Sequence, residues 1–303
     1  MFQSVLNISP YWLLVLTTLF WAGNFVLGRA VHLDVPPIGL SFWRWTTALI
    51  LILPFVIPHW RRGWPAIKQH WFILIVLGIF SVACFNTMVY LGLQTAAASN
   101  SILLQSACPI FILMLSWLFF REKVSGIQVI GMLISLLGVV TVVTQGNPET
   151  LLSLDLLNVG TAWILAAVLS WAIYSALLRL RPEGISPFGF FGLTVVIGVV
   201  ALLPFYLYET SNGRPMPVTP VSILSVLYVG IFPSILSYLF WNKAVAELGA
   251  NKTGQFIHLI PMFGITLAVI FLDEVLQSFH LIGFVLILGG IYLATILAKR
   301  FQS

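Results

Sequence analysis

The chain of 303 residues is 60% hydrophobic and only 8% charged, with a mean hydropathy of +1.04 and a formal charge of +5. A soluble domain is about half apolar and a quarter charged, so this composition excludes a water-facing surface, and apolar runs that never alternate at period two exclude a membrane β-barrel. The basic residues lie scattered in short segments without forming a stripe, which argues against a nucleic-acid partner.

A hydrocarbon layer needs about 20 residues per helix. In chain order the apolar runs predict spans near 11–31, 38–57, 71–92, 96–120 and 126–144, then 157–178, 187–208, 220–242, 250–272 and 277–298. The start, MFQSVLNISPYWLLVLTTLFWAG, lacks the positive region of a secretory signal and runs directly into a span, so it is expected to be retained. The longest connection, Thr210 to Pro220, is rich in Pro, Gly, Ser and Asn, and no soluble domain fits between spans. Cys84 and Cys108 fall inside apolar segments and read as small buried hydrophobes.

Lysine and arginine placement sets the expected orientation. With the N-terminus inside, Arg61, Arg62, Lys68, Arg121, Lys123, Arg179, Arg181, Lys243, Lys252, Lys299 and Arg300 all fall on the inner side. Only Arg29 and Arg214 fall outside, and Arg44 lies within a span. Both termini are therefore expected to be cytoplasmic, in a multi-pass plasma (inner) membrane protein.

The sequence also repeats itself. At an offset of 150, Trp21, Arg29, Pro37 and Pro54 meet Trp171, Arg179, Pro187 and Pro204. At an offset of 152, Ala98, Pro109, Glu122, Gly131 and Gly138 meet Ala250, Pro261, Glu274, Gly283 and Gly290. Two halves, 1–148 and 149–303, each carry five spans. An odd number makes the second half enter the bilayer from the opposite face, the inverted-repeat architecture of many secondary transporters. The expected fold is thus an all-α integral membrane protein, ten transmembrane helices arranged as two five-helix inverted repeats around a central cavity.

The segments FWAGNFVLGRAV, PPIGLSFWRWTTALILILPF and FREKVSGIQVIGMLISLLGVV, the last echoed by FLDEVLQSFHLIGFVLILGGIYLA, carry a resemblance. Over roughly residues 11 to 298 the chain resembles the drug/metabolite transporter superfamily, in its EamA-type ten-helix branch. The resemblance implies a basket-shaped carrier whose cavity is lined mainly by the first, third, fourth, sixth, eighth and ninth helices. It also implies export of amino acids, in some members aromatic ones, or of other small metabolites. A fold does not by itself transfer a substrate.

Polar and aromatic residues inside spans are costly in lipid and face the bundle interior. Trp21 and Asn24 share a face of the first helix, and Trp171 and Tyr174 repeat that spacing in the sixth. Asn86, Tyr90, Asn100 and Gln105 on the third and fourth helices, with Gln255 and His258 on the ninth, complete the candidate substrate-binding set. Each has a plainer reading: tryptophans that pack helix on helix, amides that bond between helices, and a histidine satisfied by packing. Arg44 sits about 10 Å from the outer end at about 1.5 Å per residue. It resembles the family's second-helix arginine; snorkelling outward, binding backbone carbonyls at a helix end and attracting an anionic substrate group are the options, and a structural role is expected. Pro109 and Pro261 are expected to kink the fourth and ninth helices at equivalent depths, statically or as gates. Gly131, Gly138, Gly283 and Gly290 are expected to support close packing within each half, or else a dimer contact. Glu122 and Glu274 are expected to cap the helices that follow them.

The carboxylates, Asp34, Glu122, Glu149, Asp155, Glu183, Glu209, Glu247, Asp273 and Glu274, all fall in or beside predicted loops, so no membrane proton relay of the usual acidic kind is expected. No phosphate-binding loop, zinc pair, intramembrane aspartate pair or serine with an obvious histidine partner on a facing helix is read from the sequence, which sets aside nucleotide hydrolysis by that loop and an intramembrane enzyme. No cofactor or metal is expected. The reading is a secondary transporter of small metabolites, foremost amino acids, working by alternating access as a monomer or weak homodimer. Uniport or exchange is the expected energetics, with proton coupling through His258 as the secondary one. The alternatives are a receptor or scaffold, or a carrier for another solute class such as drugs or nucleotide precursors.

Overall fold

A computed structural model describes residues 8–147, 149, 158–271 and 277–297. The described residues form an all-helical bundle. We number its helices α1 (Pro10–Ala30), α2 (Pro37–Gln69), α3 (Trp71–Gly92), α4 (Ala98–Gln105 and Cys108–Phe120), α5 (Gly126–Val143), α6 (Val159–Leu177), α7 (Pro187–Ser211), α8 (Pro220–Leu248), α9 (Ala250–Gly254, then Leu259–Phe271) and α10 (Ser278–Thr295). All but α9 are continuous or long enough, and apolar enough, to cross a membrane; α9 is broken by a 3₁₀ turn at Gln255–His258. The expected division between residues 148 and 149 falls at the edge of the described segments.

Proline opens α1, α2, α7 and α8, where its missing N–H costs nothing because first-turn amides have no helical acceptor. Ser186 and Thr219 cap α7 and α8 by accepting from Gly189 and Ser222. The start of α5 corrects one expectation. Ser125, not Glu122, is its cap, with Gln128 returning the bond in a capping box. Glu274 lies outside the described residues, as do Asp155 and Asp273.

Two helices run well past their predicted ends, and α7 runs three residues past its own, to Ser211. α2, expected to stop at residue 57, continues through Pro58 and Pro65 to Gln69. Its extension carries Trp64, 53% exposed, with the Lys68 ammonium 5.4 Å from its ring, the pairing of an interfacial anchor. α8 likewise runs six residues past its expected end, to Leu248.

Helix contacts come in repeat-related pairs. α1 packs on α8 and α9 as α6 packs on α3 and α4, while α2 meets α7 and α5 meets α10 across the junction of the halves. Here a second correction arises. Gly131, Gly138, Gly283 and Gly290 do not pack within each half; they join α5 of one half to α10 of the other. A Cβ on Gly290 would stand 2.5 Å from the Gly131 carbonyl oxygen, and one on Gly138 would stand 2.7 Å from that of Gly283. This face is buried inside the chain, which removes it as a dimer surface.

The helices nearest the centre are irregular at matching places. α3 contains a π-helical segment at Ile79–Cys84 and α8 one at Gly230–Leu236. α4 breaks after Gln105, just before Pro109, and α9 tightens into its 3₁₀ turn just before Pro261. A π turn leaves carbonyls without their usual helical donors, and side chains take them up. Ser170 Oγ donates to the Phe80 carbonyl at 2.7 Å and Tyr238 OH to that of Ser81 at 2.6 Å, while Trp21 Nε1 donates to that of Pro233 at 3.3 Å.

Candidate functional site

The bundle centre is a layer of aromatic rings. Trp21 from α1 and its repeat mate Trp171 from α6 meet edge to face, with centroids 5.0 Å apart and planes at 87°. Trp241 of α8 lies 5.1 and 5.4 Å from these two rings, Tyr238 lies 5.1 Å from Trp171, and Phe85 of α3 closes the far side at 4.7 Å. Edge-to-face contacts of this kind add to the burial energy of the rings. The Nε1 atoms of Trp171, Trp241 and the neighbouring Trp45 have no hydrogen-bond partner.

On each side of this layer stands one tyrosine–asparagine pair. Towards the face where α1 ends, Tyr90 OH donates to Asn24 Oδ1 at 2.7 Å. Towards the face where α1 begins, Tyr174 OH donates to Asn242 Oδ1 at 2.6 Å. The pairs are related by the sequence repeat with their chemistry exchanged: Asn24 corresponds to Tyr174, and Tyr90 to Asn242.

The first pair holds Arg44, which is wholly buried. Its Nη1 donates to Asn86 Oδ1 at 2.6 Å, to Tyr90 OH at 2.8 Å and to Asn24 Oδ1 at 3.3 Å. Its Nε donates to Ser234 Oγ of α8 at 2.6 Å, and Nη2 has no partner. Asn86 Nδ2 continues the network to Tyr238 OH at 2.9 Å. The guanidinium also lies 5.1 Å from the Trp45 ring centroid. Arg44 therefore does not snorkel: it points inward and ties α1, α2, α3 and α8 together. Every acceptor around it is neutral, and the ion pair found among the described residues, Lys243 with Glu247, lies elsewhere. Its repeat mate is Thr194, buried and bonded within its own helix.

The second pair faces open space. A cavity of about 500 Å³ is lined by Ser116 and Phe120 of α4, Ala176 of α6 and Arg179 just after it, Asn242 and Val245 of α8, and Ala250 of α9. These residues all lie at the helix ends that share a face with the N-terminus of α1. Arg179, Arg181, Glu122 and Glu183 surround its mouth, and Asn242, whose Nδ2 has no partner, belongs to its lining. On the other side of the layer α8 lies directly on α1. A Cβ at Gly23 would fall 2.1 Å from Tyr228 OH, and that hydroxyl donates to the Phe20 carbonyl at 3.3 Å, so glycine is what permits the closure.

The structure thus gathers Trp21, Asn24, Asn86, Tyr90, Trp171 and Tyr174 at one centre, and adds Arg44, Ser234, Tyr238, Trp241 and Asn242. The repeat offset of 152 carried by Ala98 and Ala250 leads from Asn86 to Tyr238 and from Tyr90 to Asn242, so the sequence held the signal for these two. The remaining candidates stand apart. His258 is wholly buried, with Nε2 2.9 Å from the Ser106 carbonyl and Nδ1 2.6 Å from Ser135 Oγ. A carbonyl only accepts, so Nε2 carries a hydrogen, while Nδ1 contacts the Ser135 hydroxyl, which also lies 2.9 Å from the Met132 carbonyl. The ring ties α9 to the break in α4 and to α5, and it is absent from the cavity lining. Gln105 is buried with neither amide atom partnered, Gln255 Nε2 makes a long bond of 3.4 Å to Asn251 O, and Asn100 is half-buried. Pro109 and Pro261 mark the two helix breaks.

The sequence profile of the EamA-like transporter family matches residues 8–144 and again residues 158–296. The chain belongs to the EamA-like transporter family. This EamA-like chain is a multi-pass membrane transporter of the drug/metabolite superfamily and not an enzyme. It is 28% identical over 291 residues to the uncharacterized transporter YyaM of Bacillus subtilis (strain 168), covering 95% of this chain and 94% of that one. It is 26% identical over 303 residues to an uncharacterized transporter of Archaeoglobus fulgidus, covering 98% and 100%. A WAT1-related chloroplastic protein of Arabidopsis thaliana is 25% identical, with 94% of this chain and 67% of that one aligned. Among solved structures, one crystal structure superposes with a TM-score of 0.75 over 97% of this chain and 99% of its own, at 20% identity, a likeness of fold.

Proposed function

We propose that this EamA-like transporter exports small amphipathic metabolites, amino acids foremost and aromatic ones among them, by alternating access. The observation that carries the reading is the pair of repeat-related Tyr–Asn sites on opposite sides of one aromatic layer, with a cavity reaching Asn242 of the second and α8 packed directly on α1 beside the first. Exchanging the conformations of the two halves closes the cavity at Tyr174–Asn242 and opens its counterpart at Asn24–Tyr90. The rings offer apolar and cation-attracting faces to a side chain and an ammonium group, and the amides and hydroxyls orient a zwitterion.

The termini face the cytoplasm of a plasma (inner) membrane in this reading, so the cavity is open to the inside. The protein acts as a monomer or weak homodimer in the bilayer, by uniport or exchange. Among the described residues the carboxylates lie at helix ends or between helices. Glu209, in the last turn of α7, is half of a cap, accepting from the Gly39 amide at 2.6 Å and from that of Ile38 at 3.3 Å. His258 has both ring nitrogens engaged, which favours the uncoupled alternatives over a histidine-linked proton.

The test is counterflow in liposomes of a labelled amino-acid panel, with wild type beside Trp171→Ala. Saturable flux lost in the variant is the expected result. Flux for none of the panel from folded protein overturns the amino-acid assignment, and flux intact in the variant removes the aromatic layer from the site.

A further inference from the structure

We propose that Arg44 is the carboxylate receptor of the transported solute, with its Nε/Nη2 edge held in reserve by Ser234; this rests on the transport reading above. The guanidinium has two unequal sides. Nη1 is taken by Asn24, Asn86 and Tyr90, all from the first half, which fix the group to that half. Nε and Nη2 form the parallel pair of N–H groups that matches the two oxygens of a carboxylate. On that edge Nε meets a single neutral hydroxyl, Ser234 Oγ at 2.6 Å, and Nη2 meets nothing.

A buried guanidinium with only neutral acceptors is strongly under-compensated, and one with an orphaned N–H is more so. The deficit has a direction. Ser234 stands on α8, in the second half, within the π segment next to Pro233, and its own hydroxyl already donates to the Val229 carbonyl at 2.6 Å. When α8 withdraws from α1 and α2, Arg44 stays with Asn24, Asn86 and Tyr90 while the edge loses Ser234. A carboxylate then takes Nε and Nη2 together, a charge-assisted bidentate contact replacing one neutral hydrogen bond. The acid's apolar part lies against Trp45 and Tyr238, whose rings are 4.9 Å apart beside the guanidinium. Thr194, the repeat mate, supplies no second cation, so the receptor belongs to one half only.

The solute class is accordingly an amphipathic monocarboxylate or zwitterion. Its amide, which cannot present two anionic oxygens, is discriminated against by about ten- to a hundred-fold. The experiment uses matched probes: phenylalanine and phenylalaninamide, 3-phenylpropionate and 3-phenylpropionamide. Binding is read as the shift in thermal unfolding of the purified full chain, and transport as counterflow in liposomes. The expected result is saturable stabilisation of wild type by the acids at concentrations at least about ten-fold below those of the amides, and its loss in Arg44→Gln. Ser234→Ala removes the competing hydroxyl and frees Nε, so acid affinity in the folded variant rises several-fold, where a merely structural serine gives no gain. Amides equal to acids in wild type, no response to any acid, or an unchanged acid response in Arg44→Gln overturns the proposal. Flux of amides without acid preference leaves the transport reading standing and removes Arg44 from it. Arg44-dependent acid binding without flux does the reverse.

Discussion

Alanine at Gly290 tests how the two halves are joined. The added Cβ meets the Ser135 amide nitrogen at 2.4 Å, the Gly131 carbonyl oxygen at 2.5 Å and the Ser135 Cβ at 2.7 Å. Ordinary contact begins near 3.4 Å, so α5 and α10 must separate by about 1 Å along a face where backbone touches backbone and no flexible side chain yields. Overpacking of this kind costs about 1–3 kcal/mol, against which glycine-to-alanine in a helix returns at most about 1 kcal/mol. A net loss of roughly 1–2 kcal/mol is expected. Gly289, one residue earlier, is the control, because a Cβ there meets nothing within 4 Å, so Gly289→Ala leaves stability unchanged or raises it by up to about 1 kcal/mol. The assay is thermal unfolding of both variants in one detergent, with counterflow per folded molecule alongside. Neither helix lines the cavity, so flux per folded molecule holds in both. Equal stability of the two variants refutes the zipper argument, and Gly131→Ala combined with Gly290→Ala costs less than the two added together, since one separation relieves both.

The tyrosine pairs give the next expectation. Tyr90→Phe takes an acceptor from Arg44 and a donor from Asn24 in a fully buried network and lowers stability by about 1–3 kcal/mol. Tyr174→Phe removes one hydroxyl beside the cavity, where Asn242 can be re-satisfied by water, and is expected to change flux more than stability. Unfolding and counterflow on both variants separate the cases, and the opposite ranking would sink the assignment of one pair to a closed side and the other to an open one. His258→Ala opens a cavity and strips partners from Ser106 and Ser135, costing about 2–4 kcal/mol, while the pH profile of transport keeps its shape. A profile that flattens in this variant would restore the proton-linked alternative.

Much of this was legible in the sequence because it rests on local or periodic signals. Span lengths follow from the bilayer thickness, the halves follow from fixed offsets, and the helix breaks follow from Pro109 and Pro261, whose rings forbid the bonds they interrupt. What was hidden depended on contacts far apart in the chain. Nothing near Arg44 states that its partners are Asn24, Asn86, Tyr90 and Ser234, and depth alone left outward snorkelling as open as an inward role. The π segment of α3 contains no proline or glycine to announce it. The end of α2 was misjudged because Pro58 looks like a stop, whereas the amphipathic run His59 to Gln69 gains enough from Trp60 and Trp64 at the interface to continue the helix. Trp60 is held by its Nε1 donating to the Gly189 carbonyl at 2.9 Å, a contact with α7 that the local sequence does not reveal.

The exchanged pairs carry a constraint on mechanism. A carrier whose halves swap conformations needs equivalent surfaces on its two sides, and each half supplies one hydroxyl-to-amide bond towards its own side. Writing the pair as Asn24–Tyr90 in one half and Tyr174–Asn242 in the other preserves the hydrogen bond while moving the large side chain between helices. The ring of Tyr90 stands on α3, and that of Tyr174 on α6 beside Trp171 at 5.1 Å. The two pairs are therefore alike in hydrogen bonding and unlike in shape. Arg44 adds the second asymmetry, a fixed charge on one side that Thr194 does not mirror. An empty carrier must keep that charge solvated by Ser234 in one state and find another acceptor in the other. A solute carboxylate supplies that acceptor, which favours exchange of bound solutes over return of the empty carrier.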